Sequence, residues 1–553
     1  MRTRLNHNKG IRLNGHGILS VGILCLFVFS AVLSVMAENK PRPKSEKRVL
    51  LLHSDILYYD QRKNPDAQIL RGNVTFRHED VMMYCDSACF YQASNSFDAF
   101  GNVRMEQGDT LSLVGDVLYY DGFAQLAKVR HNVVLKHRES TLHTDSLDYD
   151  RLYDLGYFFE GGTLQDGENV LISDWGEYSP TTREAIFNYN VRLENPQFLL
   201  QSDTLHYNTR SSLAHIVGPS NMNSGDNHIY SESGYYDTRL DRAYLLNRSV
   251  LTNNGKQMIG DSLFYDNISG VGEAFGNVFY KDELNKNMFT GHYCYHNEKT
   301  GYSIATDSAV AIDYSQKDTM YMHADTFKVC TYHLNTDSMY REVRAYNKVR
   351  AYRIDIQAVC DSLVYNSQDS CMTMYKDPIV WNGPQQLLGE EIKVFMSGTD
   401  IDSVLILNQT LSVEQIDSVH FNQIAGFEMR SFFENGDMKQ TWVSGNVYLT
   451  YYPFDDDSLM IGMNYTETTE MKLYMAEDKI DRIWMPAATG VLFPMSMIPK
   501  EKMYLENFAW FDYIRPLDKH DIFVWRSKKR GTELKKTVRH TAPLQTLDQI
   551  KRK

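Results

Sequence analysis

The chain has 553 residues, with 57 Lys/Arg against 70 Asp/Glu for a net charge of −13, and an aromatic content of 12 % that includes 36 tyrosines. The length exceeds one ordinary core, the acidity argues against nucleic-acid binding, and the aromatics favour strands over helices. No helical periodicity is sustained in the body, so a stacked array of strands is expected.

The N-terminus carries Arg2, Arg4, Lys9 and Arg12, has no acidic residue before Glu38, and contains an apolar run from Ile18 to Met36. Residues 1–37 read as a secretory signal cleaved after Ala37; the rival reading is an uncleaved anchor, because the run approaches spanning length. Without those four basic residues the net charge is −17. Arg526 to Lys553 holds ten Lys/Arg and two acidic residues, so the body between carries −25. Residues 38–47 (ENKPRPKSEK) form a polar linker. Six cysteines remain after residue 37, and Cys85 and Cys89, about 13 Å apart along one strand, are too distant for a mutual disulfide.

From residue 48 to 391 one heptad recurs. Its clearest copies are Gly260 to Asp266 (GDSLFYD), Gly115 to Asp121 (GDVLYYD), Thr144 to Asp150 (TDSLDYD), Ser202 to Asn208 (SDTLHYN) and Cys360 to Asn366 (CDSLVYN). Counting from the acidic anchor, anchors fall at Asp55, Asp86, Asp116, Asp145, Asp174, Asp203, Glu232, Asp261, Gly291, Asp325, Asp361 and Glu390. A period of about 29 residues marks a repeat architecture. Strand alternation predicts that the anchor, +2 and +4 positions share one face. The pairs Leu57/Tyr59, Leu118/Tyr120, Leu147/Tyr149, Leu205/Tyr207, Leu263/Tyr265 and Leu363/Tyr365 then point inward, as does Tyr295, while Cys294 and Cys330 fall on the variable face.

Between heptads lie Gly72-Asn73-Val74, Gly101-Asn102-Val103 and Gly276-Asn277-Val278, with variants His131-Asn132-Val133 and Tyr189-Asn190-Val191. Gly-Asn supplies the positive φ of a turn or bulge, so each unit is expected to hold two or three short strands. Over residues 392–517 the pattern widens. Ile392–Ile406, Met429–Val443 and Met471–Met485 align as three hairpins, and Phe508-Ala509-Trp510-Phe511-Asp512-Tyr513 is expected to cap the open end. Residues 518–553 are expected to be a disordered basic tail.

Catalytic patterns do not emerge: phosphate loop, nucleophile elbow and zinc helix are all missing, and the periodic Asp residues suit turn chemistry better than acid–base work. His292, Cys294 and His296 alternate on one face and Asp455-Asp456-Asp457 is a concentrated acidic loop, yet neither calls for a metal, and no cofactor is assigned. The Leu/Tyr columns are the candidate site. They fill a solid core, or they line a trough whose apolar walls do not meet; composition leaves both open.

The periodic Asp-Ser/Thr-Leu-x-Tyr heptad, twelve copies in register, together with the recurring Gly-Asn-Val behind a secretory signal resembles the OstA-like family of lipopolysaccharide-transport proteins, over roughly Arg48 to Leu405. The C-terminal hairpins and Phe508 to Pro516 (FAWFDYIRP) resemble the extension of its long members. The resemblance implies an all-β, elongated β-jellyroll of V-shaped stacked strands in the periplasm of a diderm bacterium. It implies a non-enzymatic carrier that shields lipid A acyl chains of lipopolysaccharide in a hydrophobic groove. Its implied partners are other jellyroll transport proteins and an outer-membrane assembly barrel, joined by edge-strand pairing, with self-association as a further expectation. The alternative is a structural β-solenoid scaffold or surface adhesin with a solid core.

Overall fold

The computed structural model describes residues 47–529, apart from residues 61, 63, 64, 399, 435, 436, 456, 477 and 478. The leader 1–37, most of the linker and residues 530–553 lie outside the described residues. Among the described residues all 38 strands belong to one antiparallel sheet, and successive long strands pair with their chain neighbours. Gln68–His78, Val81–Tyr91, Ser96–Gln107 and Leu111–Asp121 set the pattern. One 29-residue period is therefore a hairpin of two strands, which fits the expectation of two or three.

Each long strand is bent at its middle. The pairing of Ser96–Gln107 with Leu111–Asp121 shifts register between Phe100 and Val103, where Gly101 and Asn102 both have positive φ (75° and 46°). Equivalent pairs occur at Gly72/Asn73, His131/Asn132, Tyr189/Asn190, Asn247/Arg248, Gly276/Asn277, Asn347/Lys348, Asn408/Gln409 and Gly445/Asn446. Left-handed backbone is cheap for Gly and tolerable for Asn, which is why this dipeptide marks the bend. At Gly101 a side chain is also excluded by space, because a Cβ would lie 2.6 Å from the Asp86 carboxylate. The bend divides the sheet into two walls that face each other across one interior, with Phe76 of one wall stacked 4.1 Å from Phe97 of the other.

The bend also corrects the expected placement of the anchors. Asp86, Asp116 and Asp145 are exposed, because the bulge turns the strand's facing between the anchor and the +2 residue. Their carboxylates clasp the neighbouring bend instead. The Asn side-chain amide donates to the anchor from Asn73 to Asp55 (2.9 Å), Asn102 to Asp86 (2.8 Å), Asn132 to Asp116 (2.7 Å), Asn190 to Asp174 (2.6 Å) and Asn277 to Asp261 (2.7 Å). Lys376 takes the same role toward Asp361 at 2.6 Å. The two recurrent motifs are thus halves of one joint.

The ninth copy is shifted by one residue. Val278 pairs with Gly291 and Phe275 with Tyr293, so His292 occupies the anchor position and accepts a hydrogen bond from the Asn277 backbone N–H (3.4 Å). Cys294 and His296 consequently point inward, and Tyr295 points outward opposite Glu273. All six described cysteines are free.

The wall runs on without a break past Glu391, through the three hairpins, to Thr489–Pro494. The aromatic stretch expected as an end cap lies elsewhere. Residues 503–524 form a strap that runs back along the outer face of one wall. Its direction follows from its partners: Gln423 bridges Met503 and Leu505, Gln386 bridges Ala509 and Phe511, Gln357 accepts from Arg515, and Arg350 donates to the Val524 carbonyl. Leu505, Phe511 and Ile514 pack there on Val359, Ile379, Trp381, Leu411, Val413 and Phe421. These wall residues are apolar on the side away from the interior, and burying them outweighs any capping of an end. Residues 518–529, expected as the start of a disordered tail, continue this contact: Asp521 lies against buried Arg350 (3.5 Å) and Phe523 against His323 (4.8 Å).

Candidate functional site

The interior is organised as cross-strand columns. In one wall a single column passes through every strand: Phe76, Met83, Met105, Leu113, Leu135, Leu142, Leu164, Leu171, Leu193, Leu200, Met222 and Ile229 face one another in sequence. All twelve are large, apolar and at most 9 % exposed. The same column then continues as Leu251, Met258, Tyr280, Phe289, Ala311, Met322, Ala351, Ala358, Val380, Leu387, Ser412, Ile424 and Leu449. From Leu251 onward most members are half-buried. Four of them are only Ala or Ser.

The opposite wall carries the expected tyrosines, and its column alternates large with small: Tyr120, Ala127, Tyr149, Gly156, Tyr178, Ala185, Tyr207, Ala214, Tyr236, Ala243, Tyr265, Gly272. Each ring lies between small neighbours, which permits close stacking of strands. Leu118, Tyr120, Leu147, Tyr149, Leu205 and Tyr207 are buried to 2 % or less, and Leu263 and Leu363 are also buried. Tyr265 and Tyr365 are half-buried. Leu57 and Tyr59 are more than half exposed, because their strand, Ile56–Tyr59, lies at the N-terminal end of the array and pairs only with Gln68–His78.

In the first half the walls are laced together at their tips. The Tyr120 hydroxyl meets His78 Nδ1 at 2.6 Å and accepts from Arg151 at 2.8 Å; Arg151 in turn reaches Asp80 at 3.0 Å. Tyr178 meets His137 at 2.8 Å. Tyr207 donates to Asp166 (2.8 Å) and accepts from Asn169 (3.0 Å), while the ring of Tyr236 packs edge-on against Phe198 at 4.6 Å. Burial, then the Arg151 charge, holds the His78 pKa down, and burial first does the same at His137. Both imidazoles are thereby kept neutral. Burial also raises the hydroxyls of Tyr149 and Tyr207.

The Asn169 side-chain amide also donates across to the Thr238 hydroxyl, at 2.9 Å, just past Tyr236. Farther along, the two walls touch at the base, where Phe289 meets Phe327 edge-on at 6.1 Å. Above it the side chains are both apolar in surroundings and open to solvent. Burial pushes the Cys294 thiol up to about 11 and the Tyr280 hydroxyl up to about 12, although both side chains remain partly accessible. His296, whose Nδ1 meets the Ser303 hydroxyl at 2.8 Å, has its pKa lowered by burial yet is an exposed residue at the rim. Such a surface is a slot. Among the described residues no group of three or more His, Cys, Asp or Glu could hold a metal ion.

The alternation of Tyr with Ala/Gly and the change from large to small residues after Ile229 were within reach of the sequence, once strand pairing was known. The buried wall glutamines that hold the strap, Gln357, Gln386 and Gln423, had no local signal.

Residues 46–203 match the family described as OstA-like protein. Among solved structures the chain is similar to LptH, the LptA-homologous periplasmic component of the lipopolysaccharide transport device of Pseudomonas aeruginosa. The identity is 14 % and the TM-score 0.18, over 22 % of this chain and 81 % of that one. A comparison with curated proteins finds no match. The likeness to the OstA-like proteins is thus carried by residues 46–203, which span the tightly filled beginning of the array.

Proposed function

We propose that this protein is a non-enzymatic lipid carrier that shields the acyl chains of lipopolysaccharide during their passage across the periplasm to the outer membrane. The observation that supports the reading is a cross-strand column inside a bent sheet, apolar at every named position but Ser412, most of whose members from Leu251 onward are half-buried. Each methylene withdrawn from water is worth roughly 0.8 kcal/mol, so a chain of about 12 carbons resists aqueous exposure by on the order of 10 kcal/mol. An interior apolar surface in continuous register lowers that cost along a path. The terminal strands support assembly into a longer path by edge pairing: Leu50, Leu52, Ile56 and Tyr59 at one end and Ile483, Val491 and Leu492 at the other are exposed. The likeness to OstA-like proteins over residues 46–203 accords with this role.

The test is equilibrium binding of the purified chain to radiolabelled lipopolysaccharide, to its lipid A portion and to the deacylated polysaccharide. Saturable binding of the first two and none of the third is expected. Equal binding of the deacylated polysaccharide, or no binding at all, refutes the proposal and favours a scaffold.

A further inference from the structure

We infer that acyl chains are held in the second half of the interior, between residues 256 and 475, and that the OstA-like first half is a filled strut rather than the cargo site. The inference rests on the carrier reading and adds the location. Three observations lead to it. Along the inner column the change at Leu251 is from large, fully buried side chains to half-buried ones, with Ala311, Ala351, Ala358 and Ser412 vacating volume. The cross-wall contacts at Tyr120, Tyr178, Tyr207 and Tyr236 end at the same place. On the facing wall, Tyr265, Val329, Val343, Tyr365, Met372, Val394 and Val404 form a second half-buried row, directly paired from Val329 onward.

The chemistry of the slot selects its occupant. Its lining is mostly Met, Val, Ala, Leu, Ile and Phe, and its hydrogen-bonding groups are the hydroxyls of Tyr265, Tyr280, Tyr365 and Ser412 and the rim of His296 and Ser303. A peptide or sugar would leave most of its polar groups unsatisfied there, whereas an alkyl chain has none. The strap at residues 503–524 does not compete, because it lies on the outer side of the wall. Between Lys256–Ile259 and Gly462–Ala476 the column crosses thirteen strands. At about 4.8 Å per step the slot is on the order of 60 Å long, about twice the hydrocarbon thickness of a bilayer. That length suits a track along which a lipid shifts more than a pocket that retains one molecule.

Photo-methionine, a close isostere, tests this in the full chain without disturbing the packed half. Methionines lie on the inner face throughout: Met83, Met105 and Met222 in the first half, and Met258, Met322 and Met372 in the second. After illumination with lipopolysaccharide, lipid adducts mapped by peptide mass spectrometry are expected at the second set and not at the first, with exposed Met339 unlabelled. Ala311→Phe and Ala358→Phe, which fill the slot at half-buried positions, are expected to reduce the adduct at Met322 several-fold while the melting temperature is kept. Adducts of equal yield in both sets overturn the location but leave the carrier reading standing. A crosslink from Met322 to residues 18–36 of the same chain overturns the lipid occupant in favour of the chain's own apolar run. Adducts nowhere, with the protein folded, refute the carrier reading and this inference with it.

Discussion

The Asp–Asn clasp shows how a residue chosen for its local conformation also fixes the distance between strands. Asn102 is in the left-handed region (φ 46°), and its amide reaches Asp86, an exposed carboxylate one strand away, at 2.8 Å. A hydrogen bond to a charged acceptor contributes about 1.5–3 kcal/mol, less when exposed as here. Asn102→Ala also places an alanine at positive φ, adding about 1 kcal/mol of backbone strain. Chemical denaturation of Asp86→Ala, Asn102→Ala and the double variant should give losses of about 1–2 kcal/mol for each single change and a clearly sub-additive double. Additive losses would mean that the two side chains act separately. The sequence made the Asp and Asn periodicities visible as separate signals. Their pairing was hidden because the partners lie 16 residues apart across a bend, and the bend itself moved the anchors from the inner face to the outside. His292 was hidden for a related reason: a histidine replaces the anchor carboxylate, so the template aligns one residue early and exchanges Cys294 with Tyr295.

At the scale of elements, the strap explains why part of one wall is apolar on both faces. In Ile379–Asn382, Ile379 and Trp381 are fully buried under the strap while Val380 lies in the inner column. The alternation rule identifies a face but not what covers it, so Phe508 to Tyr513 could be read only as something that caps. Gln386 secures the strap as a strand would: its Nε2 donates to the Ala509 carbonyl (2.9 Å) and its Oε1 accepts from the Phe511 N–H (2.8 Å) and the Trp381 indole (3.2 Å). Gln386→Leu keeps much of the volume but strands a buried carbonyl and N–H, each worth about 1–3 kcal/mol. Hydrogen exchange should therefore accelerate on residues 503–524 while protection of Met83 to Leu200 stays unchanged. Unchanged exchange of the strap would mean that apolar contacts alone hold it. Loss of protection throughout the array would mean that the strap supports the whole stack rather than one wall.

At the scale of the molecule, one continuous sheet encloses an interior whose two halves are closed differently, and they should respond differently to acid. The first half is closed at its tips partly through neutral His78 and His137. His78 faces Tyr120 and Arg151, with Glu79, Asp80 and Lys47 around them, and His137 faces Tyr178, with Arg138, Arg183 and Asp154 nearby. Both folded-state pKa values lie below the ordinary value of 6.5, with burial as the larger cause. The unfolded chain therefore takes up protons first as pH falls. The stability these histidines contribute is complete above about pH 6.5 and declines below it, toward their folded pKa values. Asp98 and Glu177, whose folded pKa values are raised by burial, act in the opposite sense, but nearer their own carboxylate range. Between pH 7.5 and 5.5 the histidine contribution should dominate. Hydrogen exchange at these two pH values, corrected for the intrinsic rate, should show protection falling across the column from Phe76 to Ile229. In the double variant His78→Gln/His137→Gln that pH dependence should flatten, since a glutamine amide can still meet the tyrosine hydroxyl but takes up no proton. The segment from Tyr340 to Leu449, which lies outside the His78 and His137 contacts, should keep the same profile in both proteins. A first half with the same acid response with and without the two histidines would show that its closure rests on packing of Phe76, Phe97, Phe158 and Phe187, with the polar lacing secondary to it.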